Sequence, residues 1–443
     1  MNIKNPSVAG TFYPAEQEKL KELISTFAPD AYKMTTRAVI VPHAGLVYSG
    51  ALAYRGIYNL DKKLKTLFII APAHKAYFNG IAMMTYDACK TPLGDIEIDK
   101  EICLRLEQEG LARFDDNVWE NEHSVEIQLP IIQSIFEDVK IVPLLVSEVN
   151  SEVIANIIEK FYFNLQNGFI ISSDLSHFLQ NDVARKKDND TAIALENLEY
   201  KKLDSSSACG FKGIQGLLMF ANQNGYSLIR LGMTNSSHLT KDPSSVVGYG
   251  AWALWEDSVN HFIKDHCSDF IISLSRNVIL NGFEKKRIEL RYRQVLNQNG
   301  ACFVTLHKNG ALRGCIGSII AHKPLIADII DNSRNAAFSD ARFSPVEKEE
   351  LKDIKVAISL LSAPEEINFK TEQELLDKIV PFEDGIIIKD KEYQAVYLPS
   401  VWDELSDKKE FLNSLKIKAG LSPEHFSETF KAYKFSVEYI EEK

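Results

Sequence analysis

Three histidines each follow a short apolar segment and could meet in one reactive site. His43, His74 and His177 lie in the segments RAVIVPHAG, TLFIIAPAH and GFIISSDLSHF. Neutral imidazoles can bind a divalent metal together, or one of them can act as a base beside the metal. A single histidine after a strand is more often a hydrogen-bonded structural residue, but three in similar positions favour a functional site.

Cys209 could add a sulfur ligand to these histidines. It lies in the segment SSSACGFKG, at an apparent helix start. The positive end of a helix dipole and a bound metal would both lower the pKa of a thiol at this position. The alternative interpretation is a small buried residue beside a tight turn at Gly210.

Two further polar residues could assist such a site. His123 lies beside Glu122 on a predicted helix over residues 121–136, where it could orient a ligand or supply a proton. It could equally be a surface residue in an acidic stretch. Asp174 precedes His177 by three residues, and its carboxylate could fix the tautomer of that imidazole. It could also cap the next turn.

A second reactive group is predicted in the segment LRGCIG, which contains Arg313 and Cys315. Alternate residues of a strand point to the same face, so this spacing places the guanidinium beside the thiol and favours the thiolate. The alternative is a glycine-bearing strand that packs against Phe338 and Phe343.

The elements around these residues predict two domains. Up to about residue 260, apolar strands alternate with helices through short connections, which predicts an α/β domain with a largely parallel central sheet. The carboxyl ends of parallel strands converge on one crevice, so the strand-end histidines are expected to lie together. After residue 260 the pattern becomes α+β, with a hairpin that turns at Asn309-Gly310. We therefore predict domains at 1–260 and 261–443.

Composition limits the functional classes. The net charge is −11 and both predicted domains are acidic, which argues against a nucleic-acid binder. We expect no membrane partner, because the sequence has no apolar signal segment and no apolar run long enough to cross a bilayer. Six dispersed cysteines without a CxxC pair indicate free thiols in a reducing, cytoplasmic setting.

Residues 5–256 resemble the Memo family, protein B of the AmmeMemoRadiSam system. The motifs that carry the resemblance are, in order, VAGTFYP, VPHAGLVYSG, TPLGDIEID, NEHSVEIQLP, SSDLSHF, ACGFKGIQGLL and VVGYGAWA. The resemblance implies a fold related to the class III extradiol ring-cleaving dioxygenases, which hold nonheme Fe(II).

The same resemblance implies roles for individual residues. In that lineage His43 and His74 would bind the metal, and Memo-type chains offer a cysteine, here Cys209, where the dioxygenases have a glutamate. His123 and His177 fall at the family's other pocket histidines. Many relatives have Asn or Ser directly before the second metal-binding histidine. This chain has alanine there, so a hydrogen bond to His74 is expected to be missing.

Residues 262–440 resemble the AMMECR family, protein A of the same system. The motifs are LRGCIGS, NAAFSDARFSPV, DGIIIK, YLPSVW and FLNSLKIKAGL. The resemblance implies an α+β domain with a cleft around Arg313 and Cys315. The name of the system adds a radical-SAM enzyme as a partner on another chain, because this sequence has no CxxxCxxC motif.

Three functions are open from the sequence. The leading hypothesis is redox chemistry on an unknown small molecule or a partner's product, with Fe(II) or copper bound by His43, His74 and Cys209. The second is a non-catalytic adaptor that assembles a complex with the radical-SAM partner. The third is a zinc-dependent hydrolase in which His123 or His177 is the base. The cysteine in place of a glutamate argues against true ring cleavage.

Overall fold

The protein divides into two compact units. The structure, a computed structural model, describes residues 1–27, 34–284 and 294–442. Contacts within the chain separate an N-terminal unit, Met1–Val259, from a C-terminal unit, Asn260–Lys443.

The N-terminal unit alternates strands with helices. Its strands in the described residues are β1 Ile3–Lys4, β2 Ala38–Val41, β3 Thr66–Pro72, β4 Ile81–Met83, β5 Ala88–Thr91, β6 Gly94–Glu97, β7 Arg113–Phe114, β8 Lys140–Val146, β9 Asn167–Ser172, β10 His177–Leu179, β11 Ser227–Asn235 and β12 Val246–Trp255. Its helices are α1 Gln17–Ser25, α2 Leu46–Tyr58, α3 Lys100–Gln108, α4 Leu129–Ile135, α5 Ser151–Tyr162, α6 Asn181–Glu196, α7 Phe211–Asn224 and α8 Ser237–Thr240.

The large sheet of this unit has a parallel centre. Its strand order is β10-β12-β2-β9-β3-β8-β4-β7, and β11 also pairs with β12. The neighbours β2, β9, β3 and β8 are parallel. Strand β12 pairs antiparallel with β2, β10 and β11, and β4 pairs antiparallel with β8. The α/β class is confirmed, and the predicted parallel arrangement holds for the centre of a mixed sheet.

Burial explains the apolar runs of the central strands. Val39, Ile40, Phe68, Ile70 and Ile171 are each at most 1% exposed. Strands that are covered on both faces carry continuous apolar runs rather than alternating ones. Helix α2 packs on β2, and α7 packs on β3 and β9. The apolar runs therefore end where the strands leave the core, and polar residues begin there.

The helix predicted over residues 121–136 is shorter than expected. Helix α4 begins at Leu129, with Pro130 in its first turn, where a missing amide proton costs the helix no hydrogen bond. Proline therefore starts this helix instead of kinking it. Glu122 and His123 lie before it, in the loop that follows β7.

The C-terminal unit is α+β, as predicted. Helix α9, Val259–Glu284, begins at the boundary, and the other helices are α10 Leu325–Phe338, α11 Glu372–Lys378 and α12 Lys408–Lys418. The described strands are β13 Ala301–Lys308, β14 Ala311–Gly317, β15 Ile354–Leu361, β16 Glu365–Ile367, β17 Gly385–Asp390, β18 Tyr393–Tyr397, β19 Lys431–Phe435 and β20 Val437–Glu441. They form two four-stranded sheets, ordered β14-β13-β15-β20 and β16-β19-β17-β18.

The predicted hairpin in the C-terminal unit is confirmed. Strands β13 and β14 pair antiparallel and are joined by Asn309 and Gly310. Their φ angles are 53° and 83°. A two-residue turn with both φ angles positive matches the right-handed twist of the strands, and Asn-Gly is the pair that most readily adopts it.

Two further properties concern the cysteines and the helices. All six cysteines are free thiols. Within the three described ranges, every helix is too short or too polar to cross a bilayer.

Candidate metal centre

Two parallel strands deliver two histidines to the same edge of the sheet. His43 lies two residues after the end of β2, and His74 lies two residues after the end of β3. Strand β9 separates these two strands in the sheet. The imidazole centroids of His43 and His74 are 5.0 Å apart. The predicted convergence at the carboxyl ends of the strands is therefore what the structure shows for this pair.

Cys209 joins this pair from the turn before α7. Its Sγ lies 3.3 Å from Nε2 of His43. One ligand atom from each of His43, His74 and Cys209 lies within 4.8 Å of the other two. His43 and Cys209 are separated by 166 positions in the chain, so the fold alone creates this group.

The hydrogen bonds of His43 fix its tautomer. Its Nδ1 lies 3.0 Å from Oγ of Ser172. That hydroxyl donates its own proton to the carbonyl of Ser124, and it also accepts a proton from Nε2 of Gln128. Because the hydroxyl proton is already used, Nδ1 of His43 must be the donor in their contact. The lone pair of His43 is therefore on Nε2, which faces Cys209.

Glu122 orients the second histidine. Its carboxylate accepts hydrogen bonds from the backbone amide of His74 at 2.6 Å and from Nδ1 of the same residue at 3.1 Å. The prediction that His74 lacks such a hydrogen bond is wrong, because the partner comes from a distant loop rather than from the preceding residue. Burial raises the pKa of Glu122, but the hydrogen bonds from His74 outweigh it and hold the pKa below its usual range.

Cys209 is held by the loop after β9. Its Sγ accepts from the amide of Asp174 at 3.3 Å, and its own amide donates to the Asp174 carbonyl. Burial, followed by the negative charge of Asp174, raises the pKa of the thiol to about 12. The helix start, which was expected to lower the pKa of this thiol, is outweighed by burial.

The predicted contact between the Asp174 carboxylate and His177 does not form. The carboxylate of Asp174 accepts from the backbone amide of His43 at 2.8 Å, so it fixes the loop that carries the first histidine. Burial raises the pKa of Asp174 to about 7. The ring of His177 instead interacts with the carbonyl of Leu175, and burial lowers its pKa. His177 lies near His43 and His74 but outside the group of three ligand atoms.

His123 lies against the group of three. Its ring centroid is 5.5 Å from that of His43 and 4.7 Å from that of His74. Its Nδ1 is 3.3 Å from the Glu122 carboxylate, and Phe12 covers it on another side. Burial, followed by the electrostatic interaction with His74, lowers the pKa of His123 to about 4. It is a neutral, partly buried residue that packs against the other imidazoles rather than a surface residue.

A cleft of about 440 Å³ gives access to the group. His74 and Cys209 are among the residues that line it, together with Lys75, Tyr77 and Lys212. Lys212 pairs with the carboxylate of Glu148 at 3.0 Å on the rim. A small molecule that enters from this side meets the imidazole and the thiol directly.

The second predicted group, Arg313 and Cys315, is not arranged as expected. The guanidinium of Arg313 binds both carboxylate oxygens of Glu350 and the carbonyls of Ser344 and Pro345. The pairing of β13 with β14 shifts register at Arg313, which opposes no residue on β13. A bulge of this kind re-aims the extra side chain. The predicted activation of Cys315 by Arg313 is therefore wrong.

Sequence reasoning missed the residues that orient the imidazoles. The sequence indicates Glu122 only as an acidic neighbour of His123, and the predicted site does not include Ser172 or Gln128. Ser172 ends a central strand, and a polar residue at that point is a usable signal. Gln128 carries no such signal, because its role depends on a contact with a residue 44 positions away.

Comparisons with known proteins identify the families that the two parts of the chain resemble. Residues 4–253 match the sequence model of the family described as Memo-like protein, and residues 272–440 match that of AMMECR1. MEMO1 family proteins from Sulfurisphaera tokodaii and Methanosarcina barkeri are 32% and 33% identical to this chain. Each alignment covers 56% of this chain and 97% or 98% of the relative.

A solved structure is also similar in sequence to part of the chain. It is an uncharacterized protein from Pyrococcus horikoshii, 34% identical, with a TM-score of 0.37. The match covers 40% of this chain and 91% of that one. The family assignment rests on the sequence models and the curated relatives. The mixed α/β architecture is consistent with a fold of the class III extradiol dioxygenase type. This chain belongs to the Memo family, and its Memo domain is fused to an AMMECR1 domain.

Proposed function

We propose that the Memo domain binds one transition-metal ion through His43, His74 and Cys209 and uses it for redox chemistry on a small molecule. The observation that carries this proposal is the convergence of two imidazoles and one thiol at the end of the parallel strands. Iron and copper are the proposed ions, since a set of two nitrogens and one sulfur suits both.

The spacing of one donor pair fits ligation of a single ion, and one ligand atom from each of the three residues lies within 4.8 Å of the other two. Nitrogen and sulfur ligands bound at about 2.1 and 2.3 Å in a tetrahedral arrangement lie roughly 3.4 to 3.6 Å apart. The distance of 3.3 Å between Sγ of Cys209 and Nε2 of His43 is close to this value. The hydrogen bonds from Nδ1 of His43 and His74 leave Nε2 of each ring free to bind.

The surrounding side chains would orient the ligands and handle protons. Ser172 and Glu122 hold the two imidazoles in place. His123 is neutral at pH 7 and lies beside the ligands, so it can accept a proton from a substrate. A bound iron or copper ion would supply electron-transfer chemistry toward dioxygen or peroxide.

We also propose that a radical-SAM protein of the same system is a partner. The support is the resemblance of both domains to components of that system. In this proposal the C-terminal domain binds the partner or modifies its substrate.

Elemental analysis of protein purified without added metal tests the proposal. We expect about one iron or copper ion per chain, which the double variant His43→Ala, Cys209→Ala loses while its circular dichroism is unchanged. His238→Ala, which removes an exposed histidine of the same unit, is the matched control and should keep the metal. A tightly bound zinc ion would favour the hydrolase, and a folded protein without any metal would favour the adaptor.

A further inference from the structure

A second thiol lies between the two sheets of the C-terminal unit. Cys315 on β14 pairs with Thr305 on β13, and the Thr305 hydroxyl lies 3.2 Å from Sγ. Phe303, two residues before Thr305 and on the same face of the strand, packs against an apolar cluster that includes Ile387 and Phe435 of the other sheet. Cys315 is partly exposed.

Arg342 is fixed beside Cys315 by a network of hydrogen bonds. The carboxylate of Asp340 accepts from the backbone amide of Cys315 at 2.8 Å and from two nitrogens of Arg342. The guanidinium also donates to the carbonyl of Cys315 at 3.1 Å. The side chain of Arg342 is 56% exposed. Its charge is therefore both held in place and available to a ligand.

Lys418 brings a second cation to the same place. Its ammonium donates to the carbonyl of Val396 at 2.9 Å and lies 4.7 Å from the ring centroid of Tyr397. Burial, followed by the charge of Arg342, lowers the pKa of Lys418, and interaction with Cys315 opposes this. Val396 and Phe303 pack against the same apolar cluster, which places Lys418 on the side of the strand that Cys315 faces.

We propose that Cys315, Arg342 and Lys418 form a site in which the thiolate attacks small anionic electrophiles. The cations attract the carboxylate or phosphate group of the ligand, and the Thr305 hydroxyl donates to the sulfur. The thiol first loses its proton to solvent. The sulfur then supplies the electron pair of a new bond to an electrophilic carbon, and the leaving group departs with the electron pair of the broken bond.

This proposal does not depend on the metal centre. Every residue it uses lies in the C-terminal unit, whereas the proposed metal ligands lie in the N-terminal unit. Four of the other cysteines, Cys89, Cys103, Cys267 and Cys302, are buried, so Cys209 is the other partly exposed thiol. Peptide mapping distinguishes it from Cys315.

The test compares an anionic with a neutral alkylating reagent on the full chain. Iodoacetate and iodoacetamide are added in separate reactions at one pH, and mass spectrometry follows the peptide that contains Cys315. Free thiolates react more slowly with the anionic reagent. We expect the ratio of the iodoacetate rate to the iodoacetamide rate at Cys315 to exceed the ratio in the urea-unfolded chain by about fivefold or more.

Variants assign the effect to the two cations. Lys418→Gln, which leaves the pair between Arg342 and Asp340 intact, should lower the rate ratio, and Arg342→Gln together with Lys418→Gln should return it to the unfolded value. Lys431→Gln, which removes a surface cation paired with Glu366, should leave the ratio unchanged. An equal ratio in folded and unfolded chains, an unchanged ratio in the double variant, or no reaction at Cys315 would overturn the proposal.

Discussion

The two imidazoles proposed as metal ligands are each oriented by one buried acceptor at Nδ1. Ser172 serves His43, and Glu122 serves His74. The two acceptors differ in charge, since one is a hydroxyl and the other a carboxylate. Both leave the lone pair on Nε2, so each acceptor would hold its ring in the orientation that metal binding needs.

Replacement of Ser172 by alanine tests this point. The variant removes the acceptor of Nδ1 of His43 and one acceptor of Gln128, so the His43 ring loses its fixed tautomer. We expect metal affinity to fall about 10- to 100-fold and the metal-free protein to lose about 1 to 3 kcal/mol of unfolding free energy. Competition with a coloured chelator and urea unfolding measure the two effects.

Ser134→Ala is the matched control for this variant. Ser134 is exposed on α4, and its hydroxyl donates to a backbone carbonyl of its own helix. We expect no change in metal affinity there. Unchanged affinity in Ser172→Ala as well would contradict the orienting role of the serine.

At the scale of elements, the site depends on how closely the turn before α7 approaches the end of β9. A Cβ atom on Gly210 would lie 2.7 Å from the carbonyl oxygen of Ser172 and 2.7 Å from Cβ of Ser173. The amide of Gly210 donates to the Ser173 hydroxyl. The glycine therefore allows the contact that brings Cys209 to the histidines.

Gly210→Ala should separate these two segments. We expect a loss of about 1 to 3 kcal/mol in unfolding free energy, because the new methyl group meets a carbonyl oxygen and a Cβ atom that cannot rotate away. Metal affinity should fall as well, since Cys209 moves with the turn. Gly45→Ala, in the loop after β2, is the control, because its Cβ would approach no atom closer than 3.4 Å. Equal stability of both variants would show that the close approach is unimportant.

A second element-level feature is the segment after α12 that is tied to β17 by a buried carboxylate. Asp390 accepts hydrogen bonds from Thr429, His425 and Ser427. These bonds, with that from Thr429 the largest contributor, lower its pKa from 3.8 to about 2. The ionised form is therefore the one that the folded protein stabilises.

The lowered pKa of Asp390 makes the stability of the folded protein depend on pH. A carboxyl whose pKa is lowered on folding adds stability above its unfolded value of 3.8, and the addition is lost as the pH falls toward 2. We expect Asp390→Asn to be less stable than the native chain at pH 7, and the difference in urea midpoint to shrink between pH 4.5 and 2.5. Asp377→Asn on α11 is the control. A difference that stays constant with pH would contradict this explanation.

At the scale of the whole molecule, the proposed metal centre lies within one unit. His43, His74 and Cys209, and the residues that orient them, all lie within Met1–Val259. Metal binding to the folded protein should therefore stabilise this unit and leave the C-terminal unit unchanged. Ligand present at 100 times its dissociation constant adds about 2.7 kcal/mol to the unfolding free energy.

Removal of the metal by a chelator should show this difference. We expect hydrogen exchange to become faster in the loops after β2 and β3 and in the turn before α7, with peptides of the C-terminal unit unaffected. The double variant His43→Ala, Cys209→Ala should exchange at the same rate with and without chelator. Equal loss of protection in both units would mean that the metal acts beyond its own unit.

Part of this site could be predicted from the sequence because it depends on local patterns. Apolar runs that end in polar residues marked the central strands, and the carboxyl ends of parallel strands lie at one edge of a sheet. This was sufficient to bring His43 and His74 together. The same reasoning selected His177, but the residue two positions after β9 is Asp174. His43 and His74 lie two residues after the ends of their strands, whereas His177 lies further along the chain.

The tertiary structure alone decided which polar groups pair. Glu122 contacts His74 from 48 positions away, and Asp174 contacts His43 from 131 positions away. In the C-terminal unit, a bulge directs Arg313 toward Glu350, and the cation that contacts Cys315 is Arg342. Periodicity specifies strands, and thereby the places where histidines emerge. Hydrogen-bond partners depend on how loops from separate strands pack together, and no local pattern of residues encodes that packing.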